Sequence, residues 1–186
     1  TDILCDLYKF QERGIYNNLS AVSNVTDSST VININYQINS KIKNVELIGI
    51  TQIPVENALK HFDSILNKPY SADEIVNSSL ELIKQYRKMG FVLATIDLIY
   101  FSSDLEKLYV TINEGQITEI EVEGNATTLN SVVTREFASG VGDFLLKKNL
   151  DEGLENISAT DLFDNVKLSF VNNGLGKKIK IELQEK

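Results

Sequence analysis

His61, the single histidine of the chain, is the first candidate for acid–base chemistry, because an imidazole titrates near neutral pH. It stands on a short helical stretch near Asn57 and Asp63, with neither a nucleophile pattern nor metal-spaced partners, and reads as a helix residue without a catalytic role. Gly140-Val141-Gly142 suggests a phosphate loop but lacks the third glycine and the Gly-Lys-Ser/Thr ending, so a helix–helix turn is the better reading. Asp151-Glu152-Gly153-Leu154-Glu155 concentrates carboxylates without the alternating oxygen ligands of a calcium loop, as a solvated helix face would. Neither Gly-x-Ser-x-Gly nor His-Glu-x-x-His occurs. Cys5 is the one cysteine, which excludes an intrachain disulfide and a Cys-rich zinc module. Asn18, Asn77, Asn125 and Asn156 begin Asn-x-Ser/Thr triplets, mostly chance in a chain rich in these residues. No catalytic residue, metal or cofactor is expected in this chain.

The bulk composition narrows the choice further. The 186 residues are 42% hydrophobic, enough for packed cores in one ordinary domain or two to three small ones. Net charge is −8, and the 18 basic residues form no stripe or basic helix, which argues against nucleic acid as a partner. No apolar run approaches the roughly 20 residues of a membrane helix, and no signal-like N-terminus is present. Thr1 falls inside an apparent helix, so the chain is expected to be an excised fragment.

What remains is a repeat. Ile42-Lys43-Asn44-Val45-Glu46-Leu47-Ile48-Gly49 is matched by Ile117-Thr118-Glu119-Ile120-Glu121-Val122-Glu123-Gly124. A helix over 1–13 and two strands, 16–24 and 31–38, precede the first copy. In the second of these strands Ile32, Ile34, Tyr36 and Ile38 share a face, and Thr26-Asp27-Ser28-Ser29 forms the turn. From Ser40-Lys41 the order is strand 42–50, a helix opened by Pro54, a break at 67–70, and a long helix behind the capping-box pattern Ser71-Ala72-Asp73-Glu74. That helix carries Ile75, Leu82, Tyr86 and Met89 at helical spacing and stops at Gly90, and strands 91–101 and 105–112 follow. The last segment repeats this: strand 117–123, helix 129–138, a second helix through Leu150, Leu154 and Ile157 with Gly153 against it, then strands 165–171 and 178–183.

This β-α-α-β-β unit opens with Ile-x-x-Ile/Val-x-Val/Leu-x-Gly, ends its helix with Tyr86-Arg87-Lys88-Met89-Gly90-Phe91 and exits at Glu114-Gly115. In these motifs it resembles the polypeptide-transport-associated (POTRA) domain of the outer-membrane assembly-factor superfamily. The third unit departs from the pattern at Thr160-Asp161-Leu162-Phe163, which lacks the glycine before its aromatic residue. The resemblance implies an α+β fold of tandem units, each a three-stranded mixed sheet covered by two helices. The expected boundaries are 1–40 for the second half of one unit, 41–115 for a complete unit and 116–186 for another.

The resemblance also implies a location at the periplasmic face of the outer membrane, a β-barrel further along the parent protein, and unfolded outer-membrane proteins or accessory lipoproteins as partners. The first hairpin strand of each unit is then an exposed edge, open to β-augmentation by an extended client. In strand 91–101, Val92, Ala94, Ile96, Leu98 and Tyr100 form a wholly apolar face read as core. The opposite face, Phe91, Leu93, Thr95, Asp97, Ile99 and Phe101, is also largely apolar and is the expected binding surface. Packing of that face on a neighbouring unit is the competing reading. The third unit's edge, expected to bury Val166, Leu168 and Phe170, presents Lys167 and Ser169, a charge-protected pattern. Two other roles stay open: a connector of a patatin-type phospholipase fused to a barrel, and a passive spacer or gate.

Overall fold

A computed structural model describes residues 3–26, 29–174 and 176–186. Asp27 and Ser28 of the expected first turn lie outside the described residues. The helix α1 (Ile3–Glu12) leads into a two-stranded antiparallel sheet, β1 (Tyr16–Val25) and β2 (Thr30–Ile38). Then come β3 (Asn44–Ile48), α2 (Val55–Leu59) with a 3-10 turn through Lys60–Ile65, α3 (Ala72–Lys88), β4 (Thr95–Ser102) and β5 (Lys107–Asn113). The order recurs as β6 (Ile117–Glu123), α4 (Asn130–Glu136), α5 (Lys147–Ala159), β7 (Phe163–Asn173) and β8 (Gly176–Glu185). The two three-stranded sheets run β3-β5-β4 and β6-β8-β7, the first strand of each parallel to the central one and the middle strand of the unit antiparallel to it.

Both sheets are built on the same device. Gly49 and Gly124 end the first strands at φ +86° and +87°, and a Cβ on either would collide with a backbone carbonyl, of Ile112 and of Leu183 respectively. Only glycine combines that conformation with that close approach. Ile75, Leu82 and Tyr86 line the buried side of α3 against Leu108, Val110 and Ile112 of β5. Each fully buried aliphatic side chain contributes about 1.5–3 kcal/mol. Met89, expected on the same stripe, is the helix C-cap and is exposed. Gly153 sits inside α5 because a Cβ there would lie 3.0 Å from the Phe137 ring, so its absence lets α5 pack closely past the end of α4.

The expected capping box at Ser71 does not form. Ser71 is the α3 N-cap in position, but its buried hydroxyl turns to the Arg13 carbonyl, 3.4 Å away, because it lies against the end of the preceding helix and hairpin. The two cores also interleave. Leu93 belongs to the third unit's core with Ile117, Phe137 and Ile157, while Phe144 and Leu146 pack onto the second unit's core.

Candidate functional site

The edge strand β4 begins four residues later than periodicity predicts, and the reason is the neighbouring unit. Phe91 makes an isolated bridge with Leu146, the Val92 amide donates to Leu145 O at 3.2 Å and the Lys147 amide to Gly90 O at 2.8 Å. Phe91 and Leu93 are accordingly buried, Phe91 between the Tyr86 and Phe144 rings with both centroids 5.8 Å away. The Arg87 guanidinium donates to Phe91 O (2.7 Å) and Ala94 O (2.9 Å), and burial lowers its pKa. From the third unit the buried Lys177 ammonium donates to Thr95 Oγ1 at 3.0 Å. Burial lowers the Lys177 pKa, with Asp97 opposing and Arg87 adding to the shift.

Beyond Ile96 the faces invert. A bulge between Ile96 and Leu98 takes Asp97 out of the ladder, where its carboxylate accepts from Thr95 Oγ1 and Asn113 Nδ2, both at 3.0 Å. An extra residue on one strand flips every side chain after it. Ala94 and Ile96 face the core as predicted, whereas Leu98 and Tyr100, predicted as core, are 59% and 58% exposed. Ile99 and Phe101 turn inward instead, with Phe101 stacked on Tyr70 at 5.0 Å. Of the predicted surface, Phe91 and Leu93 are thus occupied by the third unit, Thr95 and Asp97 are tied by hydrogen bonds, and Ile99 and Phe101 are half-buried. The exposed apolar side chains of the strand are the two assigned to the other face.

Leu98 and Tyr100 continue across the outer side of the sheet, in the rows Leu98–Thr111–Ile48 and Tyr100–Tyr109–Glu46. Tyr100 and Tyr109 lie 6.1 Å apart, and the Lys107 ammonium sits 5.1 Å over the Tyr109 ring. The equivalent face of the third unit is a lattice of charge: Lys178 with Glu119 (2.9 Å) and Glu121 (3.0 Å), Lys180 with Glu123 (2.8 Å), Lys167 with Glu182 (3.4 Å). Among the described residues the outer face of the second sheet combines Leu98, Tyr100 and Tyr109 with the Glu46–Lys107 ion pair, and exposed apolar side chains also stand on the edge strand β7 (Phe170, Val171) and on the β1–β2 hairpin (Ile34, Tyr36). Phe170 on β7, predicted as buried, is 41% exposed.

Behind this surface lies a buried network that the sequence motifs mark without explaining. Glu114 accepts from Tyr86 Oη (2.6 Å), the Thr51 and Gln52 amides (2.9 Å each) and Thr51 Oγ1 (2.5 Å). Burial alone would raise its pKa, but the hydrogen bonds from Thr51, Tyr86 and the Gln52 amide outweigh burial and hold it below its ordinary value. Burial and the adjacent carboxylate push the Tyr86 phenol up. Gly115 follows at φ +82°, where a Cβ would lie 2.5 Å from that of Leu93. The helix-end tyrosine and the Glu-Gly exit are therefore two halves of one joint. In the third unit Glu185 takes the same position, accepting from the amides of Thr127 (2.9 Å) and Thr128 (2.7 Å), and these residues hold its pKa at about 2.

The arrangement of the sheets and helices has known counterparts. The chain is similar in fold to the first three POTRA domains of the periplasmic domain of Omp85 from Anabaena, with a TM-score of 0.70 at 19% identity over 99% of this chain and 80% of that one. The chain has the POTRA fold. The N-terminal domain of Omp85 from Thermosynechococcus elongatus agrees, with a TM-score of 0.71 at 16% identity over 100% of this chain and 84% of that one. CdiB from Escherichia coli superposes at a TM-score of 0.62 with 14% identity, over 99% of this chain and 33% of its own length. No family model and no curated protein matches the sequence.

Within the POTRA fold the remaining candidates take structural places. His61 Nε2 lies 2.7 Å from Gln85 Oε1, linking the 3-10 turn to α3. Gly140-Val141-Gly142 is the turn before α5, and Gly142 N donates to Ile117 O at 2.8 Å. Lys147–Asp151 (2.8 Å) and Lys148–Glu152 (3.6 Å) place the acidic run on an exposed helix face. No helix among the described residues is long and apolar enough to cross a membrane.

Proposed function

We propose that this chain is the periplasmic POTRA region of an outer-membrane β-barrel protein, and that it receives unfolded outer-membrane proteins or accessory lipoproteins by β-augmentation on β4. The observation that carries the proposal is the pairing of a free edge with an apolar rim: among the described residues β4 pairs with β5 alone, and beside its open side stand Leu98 and Tyr100. Unpaired N–H and C=O groups supply sequence-tolerant affinity, and alternate side chains supply selectivity. The likeness in fold to the Omp85 periplasmic domain of Anabaena supports the location. In this reading the units are 1–40, 41–115 and 116–186, and they act by binding and holding, without catalysis. A second reading, a spacer that sets a distance to the barrel, is favoured by the interleaved cores of the second and third units.

Hydrogen–deuterium exchange separates the two. With a synthetic outer-membrane strand peptide of about ten residues, augmentation predicts added protection within 95–102. Unchanged exchange there refutes the docking edge and leaves the spacer.

A further inference from the structure

The β1–β2 hairpin differs chemically from the rest of the chain. Charged residues make up 24% of the protein, yet 16–25 and 30–38 contain no Asp, Glu, Lys or Arg. Amides stand there instead. Asn33, Asn35 and Gln37 alternate along β2, which puts them on one face, and all three are exposed. Asn17, also exposed, lies opposite Gln37 in the ladder.

This face leads into a cleft of about 310 Å³ between the hairpin and the second sheet. Asn17, Gln37 and Ser40 line it from the hairpin side, and Tyr70, Phe101 and Ser103 from the other. Phe101 is the next-to-last residue of β4, so the cleft opens where the free edge ends. Its walls are held by Asn39, whose Nδ2 donates to Gly14 O (3.0 Å) and Tyr70 O (2.9 Å), and by the Tyr70–Phe101 stack.

A carboxamide presents a donor and an acceptor together, the same pair a peptide group presents. A charged ligand would meet no counter-ion among the lining residues, and an apolar one would strand the Asn17 amide and the Nε2 of Gln37, whose Oε1 accepts from Asn18 Nδ2 at 3.4 Å. We infer that an extended, uncharged polypeptide segment paired with β4 continues past Phe101 into this cleft, where Asn17 and Gln37 hydrogen-bond its backbone irrespective of its side chains. The inference rests on β4 being the docking edge.

The test uses the whole chain and two synthetic peptides: a strand peptide of about ten residues, and the same peptide with about three uncharged residues added at each end, roughly 10 Å more reach per end. The longer peptide is expected to bind about tenfold more tightly, the worth of one to two net hydrogen bonds. Asn17→Ala combined with Gln37→Ala should abolish that gain and leave the short peptide's affinity unchanged; both side chains are exposed, so folding is not at risk. Equal affinity for the two peptides, with protection confined to 95–102, overturns the cleft and keeps the edge. Absence of binding by either peptide overturns both.

Discussion

Replacing Tyr86 by Phe removes one hydrogen bond and nothing else, which makes the Glu114 joint open to measurement. The 2.6 Å bond joins a fully buried phenol to a carboxylate that keeps three other donors, from Thr51 and Gln52. Losing one hydrogen bond to a buried charge costs about 1.5–3 kcal/mol. Glu114→Ala strands the phenol and two loop amides at about 1–3 kcal/mol each, less what water restores to the amides. Because Tyr86→Phe then costs nothing and also removes the stranded phenol, the double variant should fall short of the sum by at least about 1.5–3 kcal/mol. Urea unfolding of the full chain reads all four corners of this cycle. The carboxylate is held below its ordinary pKa of 4.5, so it stabilises the fold above that value and the contribution fades as pH falls through the depressed one. The gap between the natural protein and Glu114→Gln should therefore be full at neutral pH and narrow below about pH 4.5. Additive losses together with a pH-independent gap would refute the joint.

Gly49→Ala and Gly124→Ala each drive a methyl group into a carbonyl at positive φ, and each should cost about 2–4 kcal/mol. A melting-temperature change within error for either variant would remove the case for a repeated strand-end device. Leu98→Lys with Tyr100→Lys places two charges at the open edge of β4, where both side chains are exposed, so stability should move by under about 1 kcal/mol while peptide protection of 95–102 disappears. Retained protection would show that the apolar rim does not select the client.

Much of the architecture was legible because the repeat carries its own punctuation. The paired glycines after β3 and β6, the Pro54 start and the Gly90 stop bracket elements whose apolar periods are unambiguous. The edge strand resisted because both of its faces are apolar, which leaves alternation nothing to discriminate. A single-residue bulge at Asp97 then exchanged the roles of the faces, exposing Leu98 and Tyr100. The hydrogen bond from Thr95 to Asp97 is the local mark of that bulge, but a Thr-x-Asp triplet is too common to announce one. The Ser71 capping box failed for another reason: it is a local rule, and the nearest unmet group was a carbonyl of the preceding unit. Tyr86 and Glu114 were visible as motif residues long before their partnership was, since 28 residues of chain separate them.

The sharing of core residues across the second boundary sets the grain at which this protein can be taken apart or recombined. Leu93 is lodged in the third core while Phe144 and Leu146 complete the second, so a cut at Gln116 would leave each fragment with a hole the other was filling. The first boundary is different in kind, held by Asn39, Ser71 and a polar cleft. Gene shuffling that treats 41–186 as one cassette and exchanges what precedes Ser40 would respect the packing; an exchange at every apparent repeat would not.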